Sequence, residues 1–372
     1  FAHQRGNRRP SESTMQRETI RELFDDSDWA RDKLMALATE LSDEQLDRPS
    51  EIGPGSLRAT LRHLYGAERI WLERWQGAEQ PQFPRSRDVG SMDALWQAWH
   101  VLATARNAYL AGLTGDDLRR DVTYTNPAGE AHTFALGDLM LHVCNHGFHH
   151  RAQALNMLRH VGVKTPGLDY LFLRVERPTI EYTPREKERL RAMGFAVQDA
   201  ASPPARLDVD TIRRYFRYGD WACRRVFGSA AKLSDEQLDR EFEIGLGRLR
   251  KTVLHIRDAE QWWYDNWGSA PPPQFKELPA TTPIDELAAL MHEIAEKRDA
   301  YVGRLTDDDL QRIVTAEVRR GVTLRFRLGE SLLQLCGHGT HHRAQALNML
   351  RRLGADVPKL DYVDWLPETH GA

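Results

Sequence analysis

"HVCNHGFHHRAQALNMLR" occupies residues 142–159, with four histidines in its first nine positions. A near copy follows: "HGFHHRAQALNMLR" at 146–159 returns as "HGTHHRAQALNMLR" at 338–351, with one change in fourteen. "LSDEQLDR" at 41–48 returns unchanged at 233–240, and "LDY" at 168–170 returns at 360–362. Every pair is separated by 192 residues. A period of that length is a whole domain, not a solenoid unit. The chain therefore reads as a tandem duplication, with copies at 15–172 and 207–364. The charged, Pro-punctuated stretch between them, 173–206, reads as a linker. Within it "PREKERLRAM" predicts a short helix starting on Pro184.

Each copy predicts four helices, in the first at about 15–41, 55–77, 91–113 and 136–160. Apolar residues recur at three-to-four spacing, as in "LRATLRHLYGAERIWLERW". Ser91 reads as an N-cap, and so does Thr282 before Pro283. "VTYTNPAGEAHTF" alternates and turns at Asn126-Pro127-Ala128-Gly129, which predicts a small hairpin before the fourth helix. The links between the second and third helices, "QGAEQPQFPRSRDVGS" and "GSAPPPQFKELPATTP", are long. A link of about 14 residues can retrace the ~35 Å of a preceding helix, whereas adjacent antiparallel helices need far less. The expectation is an all-α chain of two four-helix bundles, each with a crossover that leaves helices two and three parallel.

Bulk properties exclude several classes. The 372 residues are 41% apolar and 28% charged, with a net charge of -3, a globular composition with no electrostatic case for nucleic acid. No run approaches the length of a membrane helix, and without a charged-then-apolar opening segment no secretory signal is expected. Met15 reads as a natural start, with residues 1–14 as a tail. Cys144, Cys223 and Cys336 have no metal or redox spacing, and free core cysteines in a reducing cytoplasm are expected.

The duplication sorts the histidines. His146, His149 and His150 persist as His338, His341 and His342, whereas Gln334 replaces His142. Residues four apart share a helix face, so His146 with His150, and His338 with His342, suit one ion. A third ligand is offered by His63 on the second helix and by His255 in the other copy. Three imidazoles from two helices suit zinc, nickel, copper or iron and leave positions open, as catalytic sites do. His149 and His341 lie about 100° round the helix and are expected to flank the ion. Gln153 and Gln345 lie on the metal face and are candidate catalytic residues, meeting substrate or ordering water. Asp169 with Tyr170, and Asp361 with Tyr362, are expected to pack the chain end. Trp71, Trp75, Trp263 and Trp267 are expected to be core.

A lone helix-two histidine, then "NHGFHHRAQ", then "LRHVGVKTPGLDYL" resembles the DinB/YfiT-like superfamily over nearly all of both copies. "DWARDKLMALATELSDEQLDR" and "DWACRRVFGSAAKLSDEQLDR" resemble its first helix. Ala152 and Ala344 stand where that family often has glycine. The resemblance implies a crossover four-helix bundle holding a divalent metal, nickel or zinc first and iron or manganese next. It places the ligands at His63, His146 and His150, and at His255, His338 and His342. Family members often pair, so two fused copies imply an intramolecular pseudo-dimer. The implied activity is transfer of a low-molecular-weight thiol to a small electrophile, with hydrolysis or a non-catalytic metal-binding role in stress response as alternatives.

Overall fold

The computed structural model describes residues 15–84, 90–126, 128–268, 275–319 and 322–370. The tail at 1–14 and Pro127 of the hairpin turn, both read above, lie outside the described residues, as do parts of the two long links. The first half runs α1 (Arg17–Ala38), α2 (Asp43–Leu46), α3 (Leu57–Trp75), α4 (Met92–Ala111), α5 (Gly115–Leu118), β1 (Asp121–Thr125), β2 (Ala131–Ala135), α6 (Leu136–His160) and α7 (Tyr170–Glu176). Then α8 (Pro184–Ala192) leads to the second half. This comprises α9 (Val209–Ala230), α10 (Asp235–Leu238), α11 (Leu249–Gly268), α12 (Ile284–Val302), β3 (Ile313–Arg319), β4 (Val322–Arg327), α13 (Leu328–Arg352) and α14 (Tyr362–His370). No described helix is long and apolar enough to cross a membrane.

Local chemistry sets the helix ends. The Ser56 and Ser91 side chains accept from the amides of Ala59 and Ala94. The repeated "LSDEQLDR" folds as one helical turn closed by a reciprocal capping box, Ser42 with Gln45 and Ser234 with Gln237. Thr183 caps α8 in the same way, with Pro184 at its first position. Thr282 does not cap α12. Its hydroxyl donates to the Pro279 carbonyl at 2.7 Å, and Pro283 is the N-cap.

Four contacts fix the helix directions. Arg62 Nη2 donates to Gly90 O at 2.9 Å near the starts of α3 and α4, and Tyr109 Oη donates to Trp75 O at 2.9 Å near their ends. The second and third bundle helices therefore run parallel, as the long link requires. Between α1 and α4, Arg17 reaches the Ala111 carbonyl while Asp32 takes the Trp96 indole N–H, so these two are antiparallel. The bundle is up-down-down-up.

Each bundle is threaded by a buried cation. Arg106 on α4, fully buried, bonds Asp28 of α1 at 2.5 Å and Glu68 of α3. Arg298 on α12 bonds Asp220 at 2.6 Å and Glu260 at 2.5 Å in the same places. All six residues obey the 192-residue offset.

The fourth bundle helices, α6 and α13, pack against each other across the halves. Thr340 meets Asn145, and a Cβ at Gly337 would lie 2.9 Å from the Phe148 ring. Partner numbers rise on one helix as they fall on the other, so the two cross antiparallel. Both helices are therefore buried nearly all round, and the apolar core is continuous through both halves. The chain after each fourth helix crosses to the other half, with α7 against α13 and α14 against α6. The segment joining the halves is tied down. Thr179 donates to Glu330 at 2.5 Å, and the Arg327 guanidinium donates to Thr179 O at 3.0 Å.

Candidate metal centres

His63 lies mid-way along α3, and His146 and His150 lie one turn apart on α6. Antiparallel packing of α3 on α6 brings them together, with His63 Nε2 3.1 Å from His146 Nε2. Ring centroids are 5.0, 4.5 and 4.4 Å apart, and one nitrogen from each ring falls within 4.8 Å of the others. The second half repeats this geometry. His255 Nε2 is 3.1 Å from His338 Nε2, and the centroids of His255, His338 and His342 are again 5.0, 4.5 and 4.4 Å apart.

Burial, reinforced by neighbouring imidazoles, holds His146 and His342 well below the ordinary histidine range and brings His150 down to about 2. Burial also lowers His63 and His255; Asp361 opposes the shift at His63, and Asp169 and then Asp258 oppose it at His255. Each triad is a set of neutral imidazoles with nitrogen lone pairs. A divalent cation satisfies such a set where protons do not.

The glutamines singled out in the sequence lie beside the triads. His150 Nδ1 donates to Gln153 Oε1 at 2.7 Å, which leaves His150 Nε2 as the bare nitrogen facing the triad. The Gln153 amide donates on to His149 Nε2 at 2.9 Å. His342, Gln345 and His341 form the same relay at 2.9 and 2.9 Å. His149 and His341 thus bond the glutamines and lie outside the triads.

A feature the histidine spacing does not reveal holds each glutamine. Gly53 and Gly245 take positive φ, +57° and +50°, and a Cβ there would lie 2.1 or 2.2 Å from the glutamine oxygen. The loop before helix two closes onto the carboxamide, and only glycine leaves room. The signal was present as "EIGPG" and "EIGLG" at the repeat offset. Trp71, Trp75, Trp263 and Trp267 are buried in the core, as expected. The three cysteines are buried and free.

"LDY" divides its work. Tyr170 Oη donates to Glu22 at 2.7 Å and Tyr362 Oη to Asp138 at 3.3 Å, both buried, which packs the chain end. The aspartates before them reach the opposite half. Asp361 lines a cleft of about 570 Å³ with His149, His150 and Gln153. Asp169 lines one of about 210 Å³ with His338, His341 and His342. Burial above all lowers His149; Asp361 opposes the shift, and Arg351 and Arg343 of the second half add to it. Each triad thus opens beside a wall supplied by the other copy.

The profile of the DinB family matches residues 15–186 and again 207–369. The chain belongs to the DinB family. Among curated proteins it is similar to Protein DinB of Bacillus subtilis (strain 168), at 23% identity over 158 residues, 40% of this chain and 89% of that protein. Among solved structures it is similar to a DinB-like protein from Bacillus cereus ATCC 10987, at 20% identity and a TM-score of 0.32, covering 41% of this chain and 99% of that one. The two matched regions place the family twice in this chain.

Proposed function

We propose that this DinB protein is a metal-dependent enzyme with two centres, one ion held by His63, His146 and His150 and another by His255, His338 and His342. The observation that carries the reading is the donor set: three neutral imidazoles from two helices, built twice with the same spacing and each opening on a cleft. A divalent ion with three protein ligands supplies Lewis acidity and lowers the pKa of a thiol or water that joins it. Nickel or zinc suits three imidazoles best, with iron or manganese next.

The residues around the triads then have defined work. Gln153 and Gln345 fix the tautomer of His150 and His342 and aim Nε2 inward, a positioning role. The clefts admit a small electrophile beside a low-molecular-weight thiol. Thiol S-transfer is the proposed reaction, and hydrolysis is the variant if water replaces the thiol. A non-catalytic metal-binding protein would need no cleft beside each triad, which is why an enzyme is preferred.

Elemental analysis of protein purified without added metal or a histidine tag tests the centres. About two divalent ions per chain are expected, falling to about one in His150→Ala and in His342→Ala. Protein that holds no ion and takes up neither nickel nor zinc would sink the proposal. Loaded protein that fails to accelerate the reaction of small thiols with a haloalkyl electrophile would leave metal binding and remove the transferase.

A further inference from the structure

The two clefts descend from one ancestor and are no longer alike. The floor of the first is a polar network from both halves. Asn145 Nδ2 donates to Tyr218 Oη at 2.8 Å, Thr340 Oγ1 donates to Asn145 Oδ1 at 3.0 Å, and Arg343 Nη2 donates to Thr340 Oγ1 at 2.9 Å. At the repeat offset these residues correspond to Gly337, Asp26, Phe148 and Arg151. Of the four, only the arginine is kept.

That arginine is in opposite states. Arg151 is neutralised by the buried Asp26 at 3.1 Å and bonded to Ser27 at 3.0 Å. Arg343 faces Tyr218 where an aspartate would be. It is 5% exposed and bonds the Thr340 hydroxyl and the Cys223 sulfur; no carboxylate bonds it among the described residues, and Glu260, which feels its charge, is already paired with Arg298. A buried guanidinium without a counter-anion is costly, and a fold that keeps one in a cleft wall gains when an anion arrives. Arginine matches a carboxylate geometrically as well as electrically.

The mouth of the cleft points the same way. Lys359 and Arg351 are exposed on it, and neither forms a close ion pair among the described residues, although Lys359 acts at longer range on Asp364. The residue matching Lys359 over the second triad is Gly167. Asp361 and Asp364 share the rim, but both are exposed, and the Asp364 carboxylate accepts the Asp361 amide at 3.1 Å. The second cleft is lined by Phe148 where the first has Thr340, and has about 210 Å³ against about 570 Å³.

We infer that the cleft beside the first triad binds a small carboxylate-bearing molecule, with Arg343 as its anchor and Lys359 and Arg351 at its entrance, and that the second triad has no such site. The two centres then have different ligands, and the first centre's ligand is held by the second half. The anchor is built from protein side chains alone. Only its bearing on catalysis rests on the proposed metal chemistry.

The test is isothermal titration of the full chain with 3-mercaptopropionate and, as the uncharged match, 3-mercaptopropanol. Metal-free and cobalt-loaded protein are both titrated. One carboxylate probe per chain should bind about tenfold more tightly than its uncharged match, the effect of one charge-assisted hydrogen bond. Arg343→Gln should erase the preference, and Lys359→Gly, which copies the other half, should weaken it about threefold. Equal binding of the two probes, no measurable binding of either, or two equivalent carboxylate sites per chain would overturn the inference. So would an intact preference in Arg343→Gln that unfolds like the parent. If Arg343→Gln does not fold, an undiminished preference in Lys359→Gly decides against it, since that position is exposed. Carboxylate preference in protein that takes up no cobalt keeps the anchor and removes the metal centre. Cobalt in both centres without the preference does the reverse.

Discussion

A neutral imidazole aims its lone pair only if its other nitrogen is held. Gln153 and Gln345 do this for His150 and His342, and Gly53 and Gly245 hold the glutamines in turn. Gln153→Leu keeps the volume and loses the hydrogen bond. It is expected to weaken metal binding at the first centre by about 10–100-fold, as loss of such supporting groups does, read by competition with a chelator. The second centre in the same chain serves as the internal control. A further expectation concerns acid. In metal-free protein the folded state keeps His146 and His150 neutral, chiefly through burial, whereas the unfolded chain takes up their protons near the ordinary 6.5. The unfolded state then binds more protons below that value, so stability is full above about pH 6.5 and falls as the pH drops. The urea midpoint should hold steady above about pH 7 and decline from about pH 6.5 to 5, less steeply in a His150→Ala, His342→Ala double variant. A midpoint flat to about pH 5 would contradict this. The histidine clusters were legible in the sequence because duplication removed His142 from the candidates and the four-residue spacing set His149 and His341 aside. The Arg343 environment was not legible, because the loss of Asp26 at position 218 has meaning only once helix one is packed on helix four.

At the scale of elements, the helices and the hairpin were readable from spacing, and the parallel pair α3 and α4 from the length of the link. The buried cations that tie these elements together were not singled out, although Asp28, Glu68 and Arg106 recur intact at the repeat offset. Charged residues on helices usually face water, and nothing in a single helix reveals that three of them converge. Arg298→Ala would leave Glu260 and Asp220 without their cation. It is expected to cost about 3–5 kcal/mol by chemical denaturation, far more than loss of the exposed pair Lys297–Glu293. Thr282 shows the opposite error of local reading. A threonine before a proline suggested a cap, but the preceding turn claimed its hydroxyl.

For the molecule as a whole, duplication was plain from the sequence, and the exchange of "LDY" segments between halves was not. Sequence offset places Asp361 beside its own triad as readily as beside the other, and only the antiparallel crossing of α6 and α13 decides. Because that crossing and the exchanged α7 and α14 are buried, the peptide between the halves is not what holds them together. A protease site inserted at the exposed turn near Ala200, once cut, should leave both fragments in one peak on size exclusion. Separation into two peaks would show the shared core to be weaker than its burial implies. The facing positions on α6 and α13 carry a final consequence. Gly337 makes room for Phe148, and Asn145 bonds Thr340, so each helix is shaped to a partner that differs from itself. In an assembly of two identical subunits every substitution is made twice, and a phenylalanine would face an asparagine on both sides of the axis. Joining the copies in one reading frame removed that constraint. The protein is in effect a heterodimer encoded once, free to change one face without changing the other.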